Sequence, residues 1–166
     1  ENKRIVDASV MVGKISAAVA SRQDDDFMVI ARTDARAPLG MDEALRRATA
    51  YAEAGADMLF VEALQDVQEI ERVATEFAGV PLLFNWTEGG KTPPLTYEEI
   101  AALGFAMIIM PIGMLLAATA AMQNFLTKLT AAGTPAPFAD ELMPFDNFTD
   151  LIGLPEIGHL EKRFSV

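Results

Sequence analysis

Four short apolar runs recur along the chain: Phe27–Ala31, Met58–Val61, Val80–Phe84 and Phe105–Met110. None alternates apolar with polar positions, and continuous apolar runs of strand length predict parallel strands buried on both faces. Between the runs the period lengthens to that of a helix. Ala8–Arg22 precedes the first run. Asp42-Glu43-Ala44-Leu45-Arg46-Arg47 opens a second helix, with acids in its first turn and an end near Gly55. Asp66–Phe77 carries Val67, Ile70, Val73, Ala74 and Phe77 at helical spacing. Thr96–Leu103 begins T-Y-E-E, a capping-box pattern, and stops before Gly104. Leu115–Ala132 stops before Gly133. The sequence therefore predicts one helix followed by β-α units, joined by right-handed crossovers.

Two α/β architectures fit this order, an open doubly wound sheet and half of a (β/α)8 barrel, whose whole typically needs about 250 residues. Both place function at the carboxyl ends of the strands. Arg32-Thr33-Asp34 follows the first run, Glu62 the second, and Asn85-Trp86-Thr87-Glu88-Gly89-Gly90 the third. Pro111-Ile112-Gly113 follows the last. A cation, a carboxylate and an amide thus close three successive strands and are expected on one rim.

Composition narrows the partners. With 24 acidic against 13 basic residues the formal charge is −11, which opposes binding to phosphate backbones, and no basic run suits an anionic membrane. The chain has no cysteine, so it offers neither disulfide nor thiolate chemistry, and a reducing, cytoplasmic setting fits. The opening ENKRIVDASV lacks the apolar core of a signal peptide. Phe105–Met122 is long and apolar enough to be checked as a membrane span. Pro111 and Gly113 at its centre split it into a bulky run and an alanine-rich run, predicting strand, turn and helix.

The strings IARTDARAPLGMDEALRRATAYAEAGADMLFVEA and FNWTEGGKTP resemble the isocitrate lyase/phosphoenolpyruvate mutase superfamily, from about Ala8 through about Met143. The branch that looks nearest holds 2-methylisocitrate lyases, dimethylmalate- and oxaloacetate-cleaving enzymes, and carboxyvinyl-carboxyphosphonate phosphorylmutases. The resemblance implies a (β/α)8 barrel of the phosphoenolpyruvate mutase type, of which this chain covers strands five to eight. Residues 1–135 are expected to form that C-terminal half, and 136–166 a helical tail packing on the barrel or a partner subunit. The family's D-x-D-x-G-Y-G, E-D-Q and K-K/R-C-G-H strings do not occur here. Its catalytic cysteine and magnesium-site acids are therefore expected from an absent N-terminal half, and no metal ligand is assigned to this chain.

The resemblance also implies roles. Arg32, of A-R-T-D-A, binds a substrate carboxylate and, with Glu62, is assigned to catalysis. Asn85 and Thr87 offer neutral groups to a second carboxylate, and Gly89 and Gly90 let the backbone approach the ligand. The implied reaction is magnesium-dependent cleavage of a C–C bond in a 2-hydroxy di- or tricarboxylate to give a 2-oxo acid such as pyruvate. A phosphonopyruvate or carboxyphosphonate mutase or hydrolase, an oxaloacetate decarboxylase, and an inactive half-barrel assembly module are the alternatives. A homo-oligomer, dimer or tetramer, with its last barrel helix exchanged is the implied assembly. Each site residue also has a plainer reading. Arg32 could simply pair with Asp34 or Glu62, Asp34 could orient the arginine, and a tight loop needs glycines without any ligand. Glu88 reads as a loop acid, Lys91 as a nearby charge and Trp86 as a residue that reshapes the pocket. Pro111 stands where some decarboxylating relatives place a histidine, which disfavours that activity. His159 reads as a tail residue, and Asp24-Asp25-Asp26 as a solvated loop.

Overall fold

The computed structural model describes residues 4–24 and 26–165; Asp25 of the acidic triplet lies outside them. The chain divides into two compact units, Glu1–Met114 and Leu115–Val166.

The first unit contains the helices α1 (Ala8–Ser21), α2 (Arg36–Leu39), α3 (Met41–Glu53), α4 (Val67–Glu76) and α5 (Tyr97–Ala102). Its strands are β1 (Ile30–Thr33), β2 (Met58–Val61), β3 (Leu83–Asn85) and β4 (Met107–Ile109). β1 pairs with β2 and β3 with β4, both in parallel, and a parallel bridge between Leu59 and Leu82 joins the two pairs. The order is α/β with parallel strands laid down in sequence. Among the described residues no closed eight-stranded barrel is formed.

Three strands differ from the apolar runs that predicted them. The first begins at Ile30 rather than Phe27 because the Asp57 carboxylate takes the Val29 N–H at 2.7 Å. That carboxylate is itself held by Arg22 at 2.8 Å. The third begins at Leu83, since Pro81 has no N–H to offer a ladder. The fourth is trimmed to Met107–Ile109. At the carboxyl ends the ladders run on through Thr33 and Asn85, so Arg32 and Asn85 lie within strands, not beyond them. The four-residue α2 was not predicted; its length and Pro38 give no periodic signal.

Strand alternation sorts the side chains onto two faces. Ala31, Leu59, Val61, Leu82 and Phe84 point to the helices and pack with Ile15 of α1, Leu45, Ala48 and Tyr51 of α3, Ile70 and Val73 of α4, and Ile100 of α5. On the other face Met58, Phe60 and Leu83 bury one another, with Ile109 alongside. Ile30 and Met107 on the outer strands remain 40% and 37% exposed, so this second face is open at its edges. The caps match their sequence signals. Asp66 accepts the Glu69 N–H at 2.8 Å at the start of α4, and Thr96 and Glu99 form the capping box of α5.

The second unit comprises nearly all of α6 (Gly113–Ala132), a 3-10 helix (Ala136–Glu141), α7 (Phe145–Leu151) and α8 (Leu154–Phe164). Phe125 of α6 meets the Phe138 ring edge-on at 5.5 Å, and Lys128 pairs with Glu141. No residue of α6 is buried, and Phe145 and Leu151 stand open to solvent. Among the described residues no helix is long and apolar enough to cross a membrane.

Several carboxylates hold folded pKa values below their ordinary ones. The Arg46 and Arg47 guanidiniums lower Glu43 to about 2. The Val29 N–H, then Arg22, lower Asp57; Arg36 lowers Glu69; the Thr96 N–H lowers Glu99. At low pH the unfolded chain therefore binds more protons than the folded one. The stabilisation from Glu43 is complete above the ordinary 4.5 of a glutamate and is lost as pH falls toward about 2, and that from Asp57, Glu69 and Glu99 is lost as pH falls below their ordinary ranges. An acid titration followed by circular dichroism is expected to show steady stability down to the carboxylate range and a progressive loss below it. Phe84→Ala, at a site only 2% exposed, is expected to cost about 3–5 kcal/mol in urea denaturation.

Candidate active site

The carboxyl ends of β1, β2 and β3 bring their polar side chains to one place. β1 and β2 pair Arg32 with Phe60, and Glu62 lies two residues beyond Phe60 on the same face. Continuing the Leu59–Leu82 bridge three residues along both strands sets Glu62 level with Asn85. The result is a continuous polar run of hydrogen bonds joined by one ion pair. Arg32 donates from Nε and Nη2 to the two Asp34 oxygens, each at 2.9 Å. The same Nη2 stands 3.4 Å from Glu62 Oε1. Asn85 Nδ2 donates to Glu62 Oε2 at 3.2 Å, and the Thr87 hydroxyl donates to Asn85 Oδ1 at 2.9 Å.

Arg32 also lies across the Phe60 ring, its guanidinium carbon 4.7 Å from the centroid. This cation–π contact and the Asp34 fork fix the plane of the guanidinium. The fork to Asp34 raises the Arg32 pKa, against burial and with help from Glu62. Nη1 has no hydrogen-bond partner among the described residues. The plainer pairings with Asp34 and Glu62 are both present. They leave the two Nη1 N–H groups over as donors for a carboxylate.

Beyond β3 the chain turns sharply. The Gly90 N–H donates to the Thr87 carbonyl at 3.1 Å, and Gly89 sits at φ +69°. A Cβ on Gly90 would meet the Thr87 carbonyl oxygen at 3.0 Å. The turn by itself therefore demands both glycines. The Glu88 carboxylate lies over Gly113 at the start of α6, where any side chain at 113 would displace it. Trp86 faces the opposite way from Asn85, meeting the Tyr97 ring edge-on at 5.1 Å. Lys91 and Pro111 are exposed, and His159 is exposed on α8 in the second unit.

Two open cavities adjoin the polar run. One of about 440 Å³ is lined by Arg32, Thr33 and Asp34 with Val6, Arg47 and Tyr51. The other, about 400 Å³, is lined by Thr87, Gly89 and Gly90 with Trp86, Pro94 and Met110. Among the described residues no three His, Cys, Asp or Glu side chains converge as a metal site. Phe60 beneath Arg32 was not singled out from the sequence; the signal was available in its register, two positions before Glu62.

The sequence model of the family described as phosphoenolpyruvate phosphomutase matches residues 1–130. The chain belongs to that family. The family falls in the phosphoenolpyruvate mutase/isocitrate lyase superfamily, as the sequence strings implied. The chain is 42% identical over 163 residues to a 2,3-dimethylmalate lyase from Eubacterium barkeri, covering 98% of itself and 56% of that protein. It is 38% identical over 163 residues to a 2-methylisocitrate lyase from Aeropyrum pernix, covering 98% of itself and 51% of that protein. The crystal structure of a 2,3-dimethylmalate lyase superposes with a TM-score of 0.88 at 35% identity, over 98% of this chain and 57% of that one. The chain thus spans about half the length of the relatives it matches.

Asn85 joins Glu62 to Thr87 at a half-buried position. Asn85→Leu removes both bonds and is expected to lower stability by about 1–2 kcal/mol, read from the urea midpoint at constant m-value.

Proposed function

We propose that this chain forms one rim of the active site of a C–C lyase that cleaves a 2-hydroxy di- or tricarboxylate, releasing a 2-oxo acid such as pyruvate. The carrying observation is the run Asp34–Arg32–Glu62–Asn85–Thr87 at the ends of parallel strands. The fold behind it is strands five to eight of a (β/α)8 barrel. In that arrangement residues 1–135 belong to the half-barrel and 136–166 to the tail, and the open strand face is where the remaining strands close.

In this reading Nη1 of Arg32 donates to one substrate carboxylate. Asn85 and Thr87 take a second, with backbone groups at Gly89 and Gly90 close by. Glu62, fixed by Arg32 and Asn85, orients the substrate hydroxyl. The hydroxyl proton leaves, its oxygen forms the new carbonyl, and the C–C bond electrons pass to the carbon beside the departing carboxylate, which is then protonated. A Mg²⁺ ion would stabilise negative charge at the α-oxyacid end. The described residues do not form a set that fits it, so its ligands, and the cysteine that protonates the departing fragment, belong to the other half of the site. The lyase reading ranks above mutase or hydrolase chemistry because the two lyases named above are 42% and 38% identical to this chain, against 34% for a carboxyvinyl-carboxyphosphonate phosphorylmutase from Arabidopsis thaliana.

The apolar, unburied α6 supports a homo-oligomer, dimer or tetramer, in which this helix is exchanged between subunits. The test is an assay with Mg²⁺ for 2-oxo acid release from 2-methylisocitrate and dimethylmalate, and for consumption of oxaloacetate. Residues 1–166 by themselves are expected to be inactive, and addition of a polypeptide supplying the remaining strands to give cleavage. In the complete enzyme Arg32→Lys, which keeps the charge and loses the fork, is expected to lower kcat/KM about 10²-fold. Cleavage by the pure chain, or an unchanged rate in Arg32→Lys, would overturn the assignment.

A further inference from the structure

The Glu62 carboxylate is set by a turn that the chain holds under strain. Ala63, directly after it, has φ +65° and is the only non-glycine residue with positive φ among those described. A side chain in this left-handed region crowds its own carbonyl, and nothing about alanine compensates. Such a conformation persists only where the surroundings over-determine it.

Here they do so from both sides. Before the turn, the Glu62 N–H donates to the Thr33 carbonyl at 3.0 Å and keeps β2 in register with β1. After it, Leu64 is buried in the helix-side core at 4% exposure. The Gln65 N–H then donates to Glu69 Oε2 at 2.9 Å, and Asp66 caps α4. Glu69 is in turn gripped by Arg36, whose Nε lies 2.9 Å from Oε2 and whose Nη2 contacts Oε1. Arg36 opens α2, four residues after Arg32. The clamp therefore ties the segment carrying Glu62 to the segment carrying Arg32, and neither clamp residue joins the polar run itself. Arg36 and Glu69 each shift their partner toward its charged form, as a partly buried fork should.

We infer that Arg36 and Glu69 are positioning residues: their ion pair holds Ala63 in its left-handed turn and so aims Glu62 at Arg32 and Asn85. This rests on the proposed site for its catalytic consequence, but the clamp itself is a property of the 166-residue chain.

The test is a double-mutant cycle with Arg36→Ala and Ala63→Gly, read by amide hydrogen exchange over residues 62–66 and by Tm. Glycine adopts positive φ without strain, so a turn containing it needs no clamp. Arg36→Ala is expected to speed exchange of that segment about tenfold. Adding Ala63→Gly is expected to restore most of the protection, a non-additivity that a merely structural ion pair does not produce. Glu69→Gln supplies a second route into the same cycle should Arg36→Ala fail to fold. In the complete enzyme Arg36→Ala is expected to lower kcat by about 10²-fold with KM little changed, and Ala63→Gly to recover part of it. Additive exchange effects overturn the clamp whatever the activity. Non-additive exchange in a protein that cleaves none of the acids supports the clamp and overturns the lyase reading.

Discussion

The parallel register of β1, β2 and β3 is the constraint on which the rest of the site depends. Side chains alternate across a strand, so a slip of one residue would turn Arg32 toward the helices and Thr33 away from them. A guanidinium there would sit among Leu59, Val61 and Phe84 in the helix-side core. In the register observed, the same strand places Ala31 and Thr33 in the core and delivers Arg32 to Phe60, Asp34 and Glu62. Packing on one face thus dictates chemistry on the other. The helix-side core fixes the register, and the register fixes which charges meet.

That division of labour explains the mixture of order and openness on the strand face. Met58, Phe60 and Leu83 are buried by one another, and the polar run closes the carboxyl end above them. Toward the outer strands the face opens, with Ile30 and Met107 exposed. A cation held between two carboxylates would be costly without compensation. Here Asp34 takes the Nε and Nη2 edge, Glu62 approaches the same Nη2, and an aromatic face supports the plane. The remaining Nη1 is what a small acid could use. The acidic surface of the chain, at −11 overall, makes such a local cation the natural point of entry for an anion.

Much of this was legible in the order of residues. Met58–Val61 is the strand that its apolar run predicts, and T-Y-E-E is the capping box that opens α5. Arg32, Glu62 and Asn85 were marked by following each run to its polar end. What the pattern missed are interactions between elements distant in sequence. Asp57 trims the first strand by claiming the Val29 N–H from 28 residues away. Arg36 reaches Glu69 across 33 residues, with nothing local to announce the pair. The left-handed turn at Ala63 was equally silent, because sequence signals for positive φ are glycine and asparagine, and alanine is neither. Gly89 shows the opposite case, a glycine read for a ligand whose turn already requires it.

The central claim is that this shared rim grips an organic acid. Its most direct test is a crystal structure of the complete enzyme with a bound 2-hydroxy dicarboxylate. The account predicts one carboxylate on Nη1 of Arg32, with a donor–acceptor distance of about 2.7–3.2 Å, and a second within reach of Asn85 and Thr87. An acid seated elsewhere, with the Arg32–Asp34–Glu62–Asn85 run undisturbed and untouched, would contradict it.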